Sequence, residues 1–259
     1  MKCFILCGGL GTRISEETHS VPKPMIKIGG IPILEHIMNC YSRFGFYEFV
    51  LCGGYKIDII KDYFLKINNY KSDVFIDFEN ENVLLTNKKI NKNWKIWIVN
   101  TGLNSQTGHR LFKIKKFLKS NEDFFMTYGD GLSNVNIKKL LKFHKKNKKM
   151  ATMTIVRPQA RFGHIKLSGN LITKFKEKDQ ISEGWINGGF FVLNQKIFKY
   201  FKSNIDLIFE KEPLEILAKK KQLIAYKHNS FWHPMDTLRD KNYLNLLWKK
   251  NKAPWRIWK

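Results

Sequence analysis

Long apolar runs are missing from this chain. Nowhere in its 259 residues do eighteen apolar residues stand together, so the sequence offers no candidate transmembrane helix. The apolar stretch from Met1 to Cys7 stops at Gly8-Gly9, too short for the h-region of a secretory signal. A soluble, cytoplasmic protein with no membrane partner is expected. Cysteine is also sparse. The four present (Cys3, Cys7, Cys40 and Cys52) lie in apolar segments without a Cys-x-x-Cys spacing. They are expected to be buried free thiols rather than zinc ligands or disulfides.

Arginine is the third scarcity. Of 46 basic residues 39 are lysine and 7 arginine, against 22 acidic residues, for a net charge of +24. So basic a chain invites a nucleic-acid reading. Planar phosphate and base readout favours arginine, however, and these lysines are spread along the chain. Clusters such as Lys138-Lys139, Lys145-Lys146 and Lys148-Lys149 fall on helix-like segments, as a solvated face would. No nucleic-acid partner is expected. The chain also lacks a linker rich in Gly, Ser or Pro, an internal repeat, and any Ser-His-Asp or zinc constellation.

What is present is a core-forming composition, with 43% hydrophobic and 14% aromatic residues. Apolar runs alternate with amphipathic stretches. Strands are expected at Lys2–Cys7, Phe49–Cys52, Val74–Phe78, Lys95–Val99, Phe124–Tyr128 and Ala151–Val156. Helices are expected at Pro32–Phe44, Ile57–Leu65, His109–Leu118 and Ile137–Asn147. This order predicts an α/β fold with a mostly parallel sheet covered on both faces, and ligands beyond the strands' carboxyl ends. From about Gly163 shorter strands follow (Ile165–Leu167, Ile172–Phe175, Gly189–Val192), then helices at Pro213–Lys219 and Thr237–Trp248. One continuous unit, 1–259, is the economical reading.

The stretch "LCGGLGTRISEETHSVPKPMI", Leu6 to Ile26, stands out. Without Cβ atoms, Gly8, Gly9 and Gly11 let backbone N–H groups approach phosphate oxygens. Thr12 adds a hydroxyl and Arg13 a permanent charge in a fork that suits phosphate. Lys23 is held between Pro22 and Pro24, which restrict its backbone before any ligand binds. No Gly-Lys-Ser/Thr ending makes this a P-loop. A long polar loop, Ser15–Val21, is expected where a dinucleotide fingerprint would open a helix. Further along, Asp130 in Tyr128-Gly129-Asp130-Gly131 ends an apolar strand, and reads as a turn residue or a ligand of a hard cation. Asp236 reads as the N-cap of the next helix, a role that does not exclude metal binding. His233 reads as a packed or capping residue.

Gly8-Gly9-x-Gly11-Thr12-Arg13 with Pro22-Lys23-Pro24 resembles the sugar-phosphate nucleotidyltransferases, enzymes built on a Rossmann-like sheet. The resemblance runs along almost the whole chain, through "VNTGLNSQTGHRL" (Val99–Leu111), "TYGDGLSNVNI" (Thr127–Ile137), "RFGHI" (Arg161–Ile165), "INGGFFVLN" (Ile186–Asn194), "PLEILA" (Pro213–Ala218) and "FWHPMDTLRDK" (Phe231–Lys241). It implies transfer of a nucleotidyl group to a hexose 1-phosphate. CTP and glucose 1-phosphate are the nearest pair of substrates; UTP or dTTP is the alternative, and a silent nucleotide sensor is a rival. It implies a nucleotide half to about residue 160 and a sugar-phosphate half beyond.

The same resemblance implies nucleotide contacts from Leu6, Cys7, Gly8, Gly9, Gly11, Thr12, Arg13, Lys23, Ser105, Arg110 and Gly129. It implies Arg13 and Lys23 as the catalytic cations. It implies Asp130 and Asp236 as ligands of Mg²⁺, and Glu177, Lys178, Asn187 and Gly188 as the residues that hold the sugar phosphate. It also implies a homo-oligomer, with Trp248, Trp255 and Trp258 as candidate contacts. Three departures from the family pattern are visible: Cys7 for Ala, Asn100 for Asp, and Asp179 for the proline that usually follows Glu-Lys.

Overall fold

The structure is a computed structural model that describes residues 1–67, 73–77, 79–80, 82–86, 93–157, 164–176 and 184–258. Seven strands form its main sheet: β1 (Lys2–Cys7), β2 (Glu48–Gly53), β3 (Lys95–Asn100), β4 (Asp123–Tyr128), β5 (Ala151–Val156), β6 (Ile186–Asn194) and β7 (Leu223–His228). They lie in the order β7-β5-β6-β4-β1-β2-β3. The pairs β1–β2, β1–β4, β2–β3 and β5–β7 are parallel, while β6 runs against both β4 and β5. The sheet is thus mostly parallel, as the alternating pattern predicts.

The helices are α1 (Ser15–Thr18), α2 (Ile33–Ser42), α3 (Ile57–Lys66), α4 (Thr107–Ile114), α5 (Ile137–Asn147), α6 (Glu212–Lys219) and α7 (Leu238–Lys249). Strand side chains alternate between two cores. Cys3, Ile5 and Cys7 of β1 join a cluster with Leu34 and Tyr41 of α2, Leu140 of α5 and Leu244 of α7. Phe4 and Leu6 face the other way, toward Leu111 and Ile114 of α4 and Leu214 and Leu217 of α6. Because both faces are covered, β1 reads as an unbroken apolar run rather than an alternating one. All four cysteines are buried and free. Among the described residues no helix is long and apolar enough to cross a membrane.

Three expectations change. The stretch Ser15–Val21 is not all loop: a 3₁₀ turn at Thr12–Ile14 leads into the single-turn α1. Buried Ile14 anchors it, and the Thr18 hydroxyl donates to the carbonyls of Gly11 and Ile14 at 3.2 Å. Polar side chains that close a turn on their own backbone look like loop in sequence. Strand β7 carries too little apolar alternation to be foreseen, since it is a partly exposed strand that, among the described residues, pairs only with β5. Trp255 is fully buried within its own chain, stacked near Trp248 and donating through Nε1 to His36 at 3.2 Å, so it offers nothing to a neighbouring subunit.

Candidate active site

The loops beyond β1 and β4, neighbours in the sheet, open a cavity of about 340 Å³. Leu6, Cys7, Gly8, Gly9, Gly11, Thr12, Arg13, Lys23, Ser105, Arg110 and Gly129 all line it. The structure therefore brings every residue expected around the nucleotide to one place. Gln106, Thr107 and Tyr128, which sequence reasoning did not single out, line it as well.

The glycines serve different ends. A Cβ on Gly8 would stand 2.2 Å from Nη1 of Arg110, whereas one on Gly9 would meet nothing within 4 Å. Gly11 has φ +69, the left-handed region that favours glycine. Gly8 thus makes room for a guanidinium, and Gly9 leaves the loop open toward the cavity. The buried Arg110 Nη1 donates to Gly53 O (3.2 Å), Thr101 Oγ1 (2.7 Å) and Gly102 O (2.7 Å); Nη2 donates to Gly8 O (2.8 Å) and Leu103 O (3.1 Å). One side chain thereby ties the loops that follow β1 and β3 to the end of β2. Burial pulls the Arg110 pKa below its ordinary value, and the neighbouring Cys52 and Cys7 push it only partly back.

The chemistry-bearing side chains form one charged cluster. Lys23 Nζ lies 2.7 Å from Asp130 Oδ2 and 2.7 Å from Asp236 Oδ1, and Arg13 Nη1 lies 2.6 Å from Asp236 Oδ2. Burial alone would lower the Lys23 pKa, but the two aspartates outweigh it and hold the value above normal, so the ammonium persists. Arg13 is 69% exposed at its side chain against 10% for Lys23, so it can turn to a ligand at the cavity mouth.

Two short strands missed in the sequence bring the aspartates together. Gly131–Ser133 pairs antiparallel with Trp232–Pro234, and Met235 N donates to Asp130 O at 2.8 Å. Asp236 is not the helix cap: Thr237 caps α7, in a capping box with Asp240. His233 packs as expected, 3.2 Å from Asp240 and against Tyr243. The two aspartates fit a hard divalent ion. Both present carboxylate oxygens to a single cation, the Lys23 ammonium, and Mg²⁺ needs only one or two carboxylates beside waters and phosphates.

A smaller cleft adjoins, bounded by Asn187, Gly188, Trp232, Tyr128 and Asp130. Tyr128 and Asp130 are shared with the larger cavity. Asn187 and Gly188 thus lie next to the larger cavity. Glu177, Lys178 and Asp179, and the Arg161–Gly163 part of "RFGHI", lie outside the described residues.

A Rossmann-like sheet with a glycine loop, two cations and paired carboxylates at its carboxyl edge is the architecture of a nucleotidyltransferase. The chain belongs to the nucleotidyl transferase family, whose model matches residues 2–242. At 45% identity over 258 residues, covering 100% of both chains, it is similar to glucose-1-phosphate cytidylyltransferase of Salmonella typhi. Two solved structures share the fold. HddC from Yersinia pseudotuberculosis matches at TM-score 0.67 and 23% identity, over 95% of this chain and 99% of that one. UDP-glucose pyrophosphorylase complexed with UDP-glucose matches at TM-score 0.68 and 19% identity, over 96% and 98%.

Proposed function

We propose that this chain transfers the cytidylyl group of CTP to glucose 1-phosphate, giving CDP-glucose and pyrophosphate. The observation that carries the reading is the convergence of Arg13, Lys23 and Asp130 on one cavity lined by the glycine loop, with Asp236 paired to both cations. The full-length similarity to a cytidylyltransferase supports the choice of substrates. An ionised oxygen of the sugar phosphate attacks the α-phosphorus; the bond to the bridging oxygen breaks and pyrophosphate leaves. The nucleophile arrives deprotonated, so no general base is required. Catalysis then consists of bringing two anions together and meeting the charge that develops on the α-phosphate and the departing pyrophosphate.

Arg13 and Lys23 supply fixed positive charge, and the open backbone at Gly9 with the Thr12 hydroxyl supplies donors to phosphate. Asp130 and Asp236 would hold Mg²⁺, which when bound neutralises phosphate charge. Gln106 and its neighbours Ser105 and Thr107 face the base, while Asn187 and Gly188, with Glu177 and Lys178, take the sugar phosphate. The nucleotide half then runs to about residue 160 and the sugar-phosphate half beyond it, with Asp236 reaching back. Four free thiols suit a reducing cytoplasm. Exposed Leu171 and Ile172 on a hairpin suit a homo-oligomer, which light scattering would test.

Pyrophosphate release with glucose 1-phosphate, Mg²⁺ and CTP, UTP, dTTP or ATP in turn tests the assignment. CTP should give the highest kcat/KM, UTP less and purine nucleotides least, because an unpaired buried group costs about 1–3 kcal/mol. A preference for UTP or dTTP would sink the cytidylyl part alone. RNA binding without any pyrophosphate release would sink the whole assignment.

A further inference from the structure

Behind the wall between the two cavities runs a chain of hydrogen bonds that the charged cluster does not use. Thr107 Oγ1, on the nucleotide side, donates to Glu210 Oε2 at 2.6 Å. The other oxygen of Glu210 accepts from the Tyr128 hydroxyl. Asn187 Nδ2, in the smaller cleft, donates to that same hydroxyl at 3.2 Å. Glu210 itself borders neither cavity.

Tyr128 is the side chain that both cavities share beside Asp130, so its ring is their common wall. The ring leans on the backbone of Gly189, where an added Cβ would stand 2.7 Å from Cδ2, and meets Phe191 edge-on. Its tip is held by polar partners, Glu210 and Asn187. The hydroxyl donates to Glu210 and accepts from Asn187. On the other side Thr107 opens α4, and the segment carrying Glu210 is laced to that helix start. Gln106 N donates to Ile205 O (2.9 Å), Gly108 N to Leu207 O (2.8 Å) and Phe209 N to Thr107 Oγ1 (2.9 Å).

We propose that Glu210 is a positioning residue for both substrates, holding the Tyr128 wall and the Thr107 end of the base loop in one register through the relay Thr107–Glu210–Tyr128–Asn187. This rests on the assignment of the two cavities to nucleotide and sugar phosphate. A carboxylate suits the post because it accepts from two hydroxyls at once and needs neither to reverse. Losing it leaves two partly buried hydroxyls to find other acceptors, and frees a wall that shapes both sites.

The test is steady-state kinetics with CTP and glucose 1-phosphate, beside thermal unfolding, for wild type, Glu210→Gln, Glu210→Ala, Tyr128→Phe and the double variant Tyr128→Phe/Glu210→Ala. Glu210→Ala should raise KM for glucose 1-phosphate about tenfold, the scale of one hydrogen bond to a charged group, and KM for CTP by a smaller factor. Glu210→Gln, which keeps the volume and one acceptor, should fall between. In the double variant KM for the sugar phosphate should match that of Glu210→Ala alone, because both changes break the same Tyr128–Glu210 hydrogen bond. A lower Tm with both KM values unchanged would overturn the proposal, as would independent, multiplying effects of the two substitutions, or an effect confined to one substrate. If wild type instead turns over a different nucleotide or sugar phosphate, the substrate assignment fails and the same comparison decides the relay with that pair. If it turns over none, thermal shift with CTP decides: the shift should shrink in Glu210→Ala, and an unchanged shift overturns the relay.

Discussion

Replacing Gly8 by alanine should unfold the site from beneath, whereas replacing Gly9 should not. The new Cβ would lie 2.2 Å from Nη1, 2.4 Å from Cζ and 2.9 Å from Nε of Arg110, all inside normal contact distance. The guanidinium cannot step aside freely, since it donates to Gly53, Thr101, Gly102, Gly8 and Leu103. Overpacking costs about 1–3 kcal/mol. Each buried acceptor left without its donor adds about 1–3 kcal/mol. Allowing one such loss, the total is roughly 4 kcal/mol, and at about 2–4 °C per kcal/mol for a chain this long the melting temperature falls by about 8–16 °C. Gly9→Ala meets nothing within 4 Å. It should melt within about 2 °C of wild type, as neutral surface changes do, yet raise KM for CTP by placing a methyl group where phosphate approaches. Calorimetry of both variants, with kinetics alongside, separates the roles. Equal melting temperatures for the two would refute the idea that Gly8 exists to admit Arg110.

Asp236→Asn should lower kcat by about 10²–10³, the size of losing one charge from a preorganised electrostatic site, with the fold intact because Thr237 and Asp240 still cap α7. Normal turnover with unchanged Mg²⁺ dependence would remove Asp236 from the chemistry. Lys23→Ala should lower kcat more than it raises KM for CTP, and a pure KM effect would confine Lys23 to ground-state binding. Asp240→Ala should cost about 1 kcal/mol through the lost cap, read by thermal unfolding at pH 7. Burial pushes the Asp240 carboxyl up, but bonds from Thr237 and the Asp236 amide bring it below its ordinary value. Its stabilisation is therefore full above about pH 3.9 and fades as pH falls through the lower folded value, so the two proteins should converge in acid. A gap that widened on acidification would contradict that sign.

The parts of the fold legible in sequence are those where local pattern and burial agree. The helix Ile137–Asn147 and the strands Lys2–Cys7 and Ala151–Val156 have the bounds their periodicity predicts. Glycines, prolines and cations within one short stretch made the cavity residues readable too. What stayed hidden depends on partners far away in the chain. The three-residue strands around Leu132 and His233 have no periodicity of their own; each exists because the other does. Arg110 reads in sequence only as a nucleotide contact, because a buried cation bonded mainly to carbonyl oxygens leaves no trace there. Glu210 is one acid among many until Thr107 and Tyr128 are seen to meet it.

The charged cluster also carries a constraint on timing. Arg13 and Asp236 are 223 residues apart in sequence, and Lys23 and Asp236 are 213 apart. A ribosome therefore exposes the glycine loop and both cations long before it makes the second carboxylate. Until then Lys23 lacks one of its two counter-charges. Contacts of such separation close late and slowly, because so much chain must be ordered first. Catalytic competence in this protein should therefore appear at the end of folding, so that activity regained during refolding reports the slowest long-range closure rather than the first formation of the sheet.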